Sequence, residues 1–163
     1  MMSQGQNAQL ERNNATIRRL VKAHNRQDAA AAAACFVTSA TNHGHAEGRA
    51  GIERVYKSLY AAFPDFHWDI QALFGEGDWV ACQVLMSGTH LGVPELPVFG
   101  GLMHDAAPTG KSVSVLNVHV YQMQDGLIVR HSGVRDDLGM MQQMGLLPAT
   151  RHPMGDTSRA ARQ

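Results

Sequence analysis

The chain has 163 residues, enough for one hydrophobic core and short of what two domains ordinarily need. Its 14 lysines and arginines balance 14 aspartates and glutamates, which leaves no basic footprint for nucleic acid. No run of about 18 apolar residues occurs, and the opening MMSQGQNAQLERNN lacks a basic-then-apolar layout, so a cytoplasmic protein without a membrane partner is expected.

In chain order, residues 1–8 read as a flexible start. Leu10, Asn14, Ile17, Leu20, Val21 and His24 then fall at helical spacing and predict an amphipathic helix over 10–24. Asp28 precedes the alanine run 29–34 and is placed to cap a short second helix. Ile52, Val55, Tyr56, Leu59, Tyr60 and Phe63 paint one face of a third helix, which ends before Pro64. Beyond it the period changes to two. Phe66, Trp68, Ile70, Ala72 and Phe74 alternate with polar neighbours, and Gly75-Glu76-Gly77-Asp78 turns the chain into a long strand over 79–89. Residues 91–110, with Pro94, Pro97 and Pro108 and no sustained period, form a long loop. Strands over 113–123 and 127–134 flank the hairpin signal Gln124-Asp125-Gly126, and a last short helix covers 137–144. The tail from 149 has little apolar material to dock and is expected to be disordered. Helices first and hairpins after them give one α+β domain over 9–148, with the helices on one face of the sheet.

Nine histidines make metal binding the first chemistry to weigh. His43 and His45 stand two apart, but no Cys-x-x-Cys or His-Glu-x-x-His pattern accompanies them, and no metal is predicted. No Gly-x-Ser-x-Gly turn points to a serine hydrolase. Cys35 and Cys82 lie in apolar runs and read as buried thiols. More informative is the strand over 113–121, where Val113, Val115, Asn117, His119 and Tyr121 share a face. If that face lines a cavity, Asn117 and His119 enter it as converging polar groups; the same pattern also fits a hydrogen-bonded sheet histidine. In the next strand Ile128, Arg130, Ser132 and Val134 share a parity that extends to Asp136. An aspartate at a strand-to-helix junction is ordinarily a helix cap.

Several segments in order resemble the SnoaL-like polyketide cyclases, or ester cyclases, within the nuclear transport factor 2-like and ketosteroid-isomerase-like superfamily. They are His43, Gly48-Arg49-Ala50-Gly51-Ile52, Ala62-Phe63-Pro64-Asp65, Glu76-Gly77-Asp78-Trp79, Ser87-Gly88-Thr89-His90, Asp125 to His131, and Asp136 to Gly145. The resemblance runs from about Ile17 to Leu147. It implies a cone of one curved sheet closed by three helices, commonly a homodimer, with a pocket inside; from the order of helices and hairpins, the dimer contact is expected on the outer sheet face. It also implies aspartate-mediated acid-base chemistry, as in an intramolecular aldol closure, with no cofactor. By motif the aspartate is Asp136, five residues after His131. Two departures are Ser132, where tryptophan is common, and Leu127, where lysine or arginine is expected.

The resulting expectation is a cofactor-independent enzyme acting on a small, largely apolar carbonyl compound, with Asp136 and His119 catalytic. His43, Phe63, His90, Asn117 and Ser132 are the expected substrate-binding residues. Asp136 should enter the cavity and Asp137 should cap the last helix. The loop over 91–110 should act as a lid, hinged at Gly100-Gly101, with Phe99, Leu102 and Met103 facing inward. The alternatives are a non-catalytic binding or dimeric interaction module of the same fold, and a hydrolase or dehydratase on it.

Overall fold

The computed structural model describes residues 4–103 and 105–149; most of the expected tail and Met1 to Ser3 lie outside the described residues. Helix α1 (Gln4–His24) buries Ile17, Leu20, Val21 and His24 along one stripe, and it begins at Gln4 rather than Leu10. Gln and Ala in its first turns have good helix propensity, so the helix extends beyond its apolar stripe. The Asp28 carboxylate accepts the Ala31 N–H at 2.9 Å and caps α2 (Ala29–Ala33).

An unpredicted strand follows, β1 (Phe36–Asn42). Its Val37, Thr38 and Thr41 are β-branched, but the run Thr-Ser-Ala-Thr-Asn hides any apolar alternation. The Arg49 guanidinium donates to Phe36 O at 2.8 and 2.6 Å, tying β1 to the start of α3 (Gly48–Ala62). Helix α3 buries Ile52, Tyr56 and Tyr60 and stops just before Pro64, as its spacing predicts.

Strands β2 (His67–Glu76), β3 (Trp79–Thr89), β4 (Ser112–Gln124) and β5 (Leu127–Arg135) form an antiparallel meander, and β1 adds parallel to β5. The sheet order is β1-β5-β4-β3-β2. Asp125 and Gly126 turn the β4–β5 hairpin at φ 51° and 77°, the two positive angles a tight I′ turn demands. Pairing in that hairpin slips from Gln122–Arg130 to Met123–Ile128, so Val129 is an extra, bulged residue. A bulge inverts the side-chain alternation beyond it, which decides what β5 shows to the cavity.

Helix α4 (Asp137–Met144) packs Met140, Met141 and Met144 beside β4. The result is the expected α+β cone: a five-stranded mixed sheet with α1 and α3 against its inner side. Cys35 and Cys82 are free and buried, and burial raises both thiols, Cys82 to about 11. Among the described residues no helix is long and apolar enough to cross a membrane.

Candidate functional site

The inner sheet face and helices α1 and α3 surround a cavity of about 290 Å³, suited to a ligand on the order of ten to fifteen non-hydrogen atoms. Its apolar walls are Val55, Tyr56 and Leu59 of α3, Phe66 and Trp68 at the start of β2, and Met86 of β3. Pro97, Val98, Phe99 and Gly100 cover it from the long loop. That loop is anchored at both ends. Leu91 N and Gly92 N donate to Ala62 O, His90 N donates to Lys111 O, and Leu96 N donates to Ser58 Oγ at 2.8 Å. Phe99 packs on Phe63 with ring centroids 6.0 Å apart, and the Arg135 guanidinium lies 5.6 Å above Phe99. Met103 is fully buried but does not line the cavity, and Leu102, expected to face inward, is exposed.

Among the polar residues of the cavity wall, three form a chain. The Asn42 Oδ1 lies 2.7 Å from His131 Nδ1, and His131 Nε2 lies 2.9 Å from His119 Nδ1. An amide oxygen only accepts, so His131 carries its proton on Nδ1 and presents a lone pair at Nε2. His119 must then donate from Nδ1, and its Nε2 is left as an acceptor. That Nε2 is buried and has no hydrogen-bond partner. Burial first, and then the nearby His43 and Arg135 charges, hold His119 down to about 3; burial likewise keeps His131 well below its ordinary value. All three residues are therefore neutral at pH 7. An unprotonated imidazole nitrogen held in one tautomer beside an apolar cavity can take a proton from a bound ligand.

Gly133 makes room for this arrangement. It pairs across the sheet with His119, and a Cβ there would stand 2.9 Å from His119 Nδ1 and 3.0 Å from Val118 O. Gly133→Ala should push the imidazole off His131, and its expected signature is loss of ligand affinity with a melting temperature only slightly lowered. Wild-type affinity in that variant would show that the relay does not set the site.

At the mouth, Arg135 forms a two-toothed pair with Asp137 at 3.0 and 3.1 Å and reaches His43 Nε2 at 3.4 Å. Burial, followed by the Arg135 charge, lowers His43 below its ordinary value. His43 itself stacks edge-on to His131 at 4.8 Å.

Of the seven residues singled out from the sequence, the structure brings His43, Asn117 and His119 to the cavity. Asp136 does not enter it. Its carboxylate accepts the Gly139 N–H at 2.8 Å as the cap of α4, on the exposed side, while Asp137, the expected cap, pairs with Arg135. Ser132 is likewise on the outer face. Both corrections have one cause: the bulge at Val129 sends His131 and Arg135 inward, and Ser132, Val134 and Asp136 outward. Phe63 and His90 are fully buried behind the loop rather than lining the cavity; their rings lie 5.6 Å apart, and His90 Nδ1 meets Thr109 at 3.3 Å. The sequence reading missed Asn42, His131, Trp68, Arg135 and His24. Only an allowance for the bulge, or the unexpected β1, could have revealed the first two. Among the described residues no group of three or more His, Cys, Asp or Glu is placed to hold a metal ion.

Solved structures share this architecture. IdmH of Streptomyces antibioticus, a candidate polyketide cyclase, is 26% identical with a TM-score of 0.65, over 82% of this chain and 98% of that one. AclR of Streptomyces galilaeus, a candidate hydroxylase, is 23% identical with a TM-score of 0.70, over 87% and 86%. TsrD of Streptomyces laurentii is 21% identical with a TM-score of 0.70, over 90% and 100%. No curated protein sequence matches. Residues 14–144, which hold both the relay and the sheet around it, match the SnoaL-like polyketide cyclases, and the chain belongs to that family.

Proposed function

We propose that the protein is a cofactor-independent enzyme that moves a proton on a small enolisable carbonyl compound, with His119 Nε2 as the base. Family membership supports a cyclase- or isomerase-type enzyme. The observation that carries the finer reading is the Asn42–His131–His119 relay, ending in a partnerless nitrogen on a residue of the cavity wall. In the reaction the Nε2 lone pair takes the proton from carbon, and the C–H electron pair passes into an enolate. The imidazolium then returns the proton at another atom, which is an isomerisation. In an aldol closure the enolate carbon instead attacks a second carbonyl of the same molecule, and the new alkoxide takes the proton.

A base held at about 3 is matched to this only if the product supplies a counter-charge. The enolate does so: an opposite charge within a few ångströms favours the imidazolium and raises its pKa. The same argument selects substrates whose C–H is already acidified by two carbonyls. The test is deuterium uptake from heavy water into ethyl 2-oxocyclohexanecarboxylate, read by NMR. Uptake above the buffer rate is expected. No uptake across a panel of such esters, together with ligand affinity unchanged in His119→Gln, would establish the binding-module alternative.

The proposal extends to assembly. Leu116 and Val134 are 46% and 78% exposed on the outer sheet face, and Leu138 of α4 is 56% exposed. A second copy covering this apolar face gives a homodimer. Sedimentation at micromolar concentration should show it, and a single monomeric species removes the claim.

A further inference from the structure

Besides His119, two residues of the cavity wall carry buried ring nitrogens that the protein leaves without a partner: Trp68 Nε1 and His24 Nε2. Trp68 is 7% exposed and His24 fully buried. Unpartnered polar atoms in such places are costly and call for an explanation. The chain also spends contacts on holding the two together. Asn25, directly after α1, donates to Trp68 O and accepts from Trp68 N–H, both at 2.8 Å, so the free edge of β2 is fastened one residue beyond His24. The two rings lie 4.4 Å apart.

The proton positions follow from the partners. Indole N–H can only donate. His24 Nδ1 is 2.6 Å from the Tyr60 hydroxyl. A phenol is a stronger acid than an imidazole N–H, and an imidazole nitrogen is a stronger base than a phenol oxygen, so Tyr60 donates and Nδ1 accepts. Neutral His24 then keeps its proton on Nε2. Two donors, on His24 and Trp68, therefore stand beside one acceptor, on His119, whose ring centroid is 4.5 Å from that of Trp68.

We propose that Trp68 Nε1–H and His24 Nε2–H receive the oxygen of a substrate enolate, so that an enolisable carbonyl enters oxygen-first between α1 and β2 with its acidic carbon toward His119. The placement of the carbon rests on the reading of His119 as base; the donor pair does not. Neutral donors fixed before the reaction stabilise a developing oxyanion without surrendering a proton to it. Tyr60 acts through His24 as a positioning residue. Planar aromatic alcohols present the same oxygen and do not react, which makes them probes of the pair.

The experiment measures binding of 2-naphthol and of 2-methylnaphthalene to the full chain by naphthalene fluorescence. Wild type should bind the alcohol at least about tenfold more tightly than the hydrocarbon, the effect of one or two directed hydrogen bonds to oxygen. Trp68→Phe and His24→Phe should each narrow that preference, and Tyr60→Phe should narrow it less. Equal affinity of the wild type for both ligands overturns the proposal without needing any variant to fold. So does a Trp68→Phe protein of unchanged melting temperature that retains the full preference. If wild type prefers the alcohol in a Trp68-dependent way yet catalyses no deuterium uptake, the donor pair stands and the base falls. If uptake depends on His119 but not on Trp68, and the preference is absent, the donor pair falls alone.

Discussion

Replacing His119 by glutamine is expected to lower catalysed deuterium uptake by about 10²- to 10⁴-fold, the contribution a positioned general base makes. Glutamine approximates the imidazole in length and sets its amide where Nε2 stood, so the wall of the cavity and the β4–β5 pairing should survive. What it lacks is a basic nitrogen. The control is Asp136→Asn. Asparagine caps helices about as well as aspartate, so α4 keeps its first turn and the site, which Asp136 does not line, should be unaffected. Uptake rates of the two variants, each checked for an unchanged melting temperature, decide the matter. Retained activity in His119→Gln with loss in Asp136→Asn would return the chemistry to the aspartate that the family resemblance first suggested, and would mean that α4 rearranges when ligand binds.

What the sequence could show depended on how local the determinants are. The stripe of α3 and the Asp125-Gly126 turn are written within a few neighbouring residues, and both are found where their spacing puts them. Asn117 and His119 were visible for a similar reason: polar residues on the buried face of an apolar strand stand out. The rest of the site depends on distant partners. One bulged residue, Val129, reversed the reading of every later position in β5, hiding His131 and promoting Ser132 and Asp136. No residue type marks that bulge, because it is set by how β5 must pair with β4 and β1 together. His24 reads from its helix as ordinary core, and it is core; its polar role exists only because Tyr60 of α3 and Trp68 of β2 meet it there.

Lowering the pH from 7 to 5 is expected to remove several kcal/mol of stability, because the cavity holds its histidines neutral. Burial, reinforced by the nearby His119 charge, takes His24 to about 3; His119 is at about 3, and His131 lies well below 6.5. In the unfolded chain each titrates near the ordinary 6.5. Between that value and the folded one the unfolded state binds more protons, so stability is complete above about pH 6.5 and falls as the pH drops toward 3. For one group with these two values the loss from pH 7 to pH 5 is about 2 kcal/mol, and His24 and His119 together lose about 4 kcal/mol. The two add in this window because the folded state protonates neither, so their mutual repulsion does not yet enter. His131 acts in the same direction. Asp65 does not act in this window: burial raises it, but its hydrogen bonds from Thr89 outweigh that and leave it below its ordinary 3.8. Against a usual domain stability of about 5–15 kcal/mol, a loss of this size is a large share of the total by pH 5. Urea unfolding at pH 7, 6 and 5 measures it, with falling midpoints and a constant slope expected. Equal midpoints at pH 7 and 5 would show that the histidines take up protons in the folded state, and the neutral relay assigned to Asn42, His131 and His119 would then be wrong.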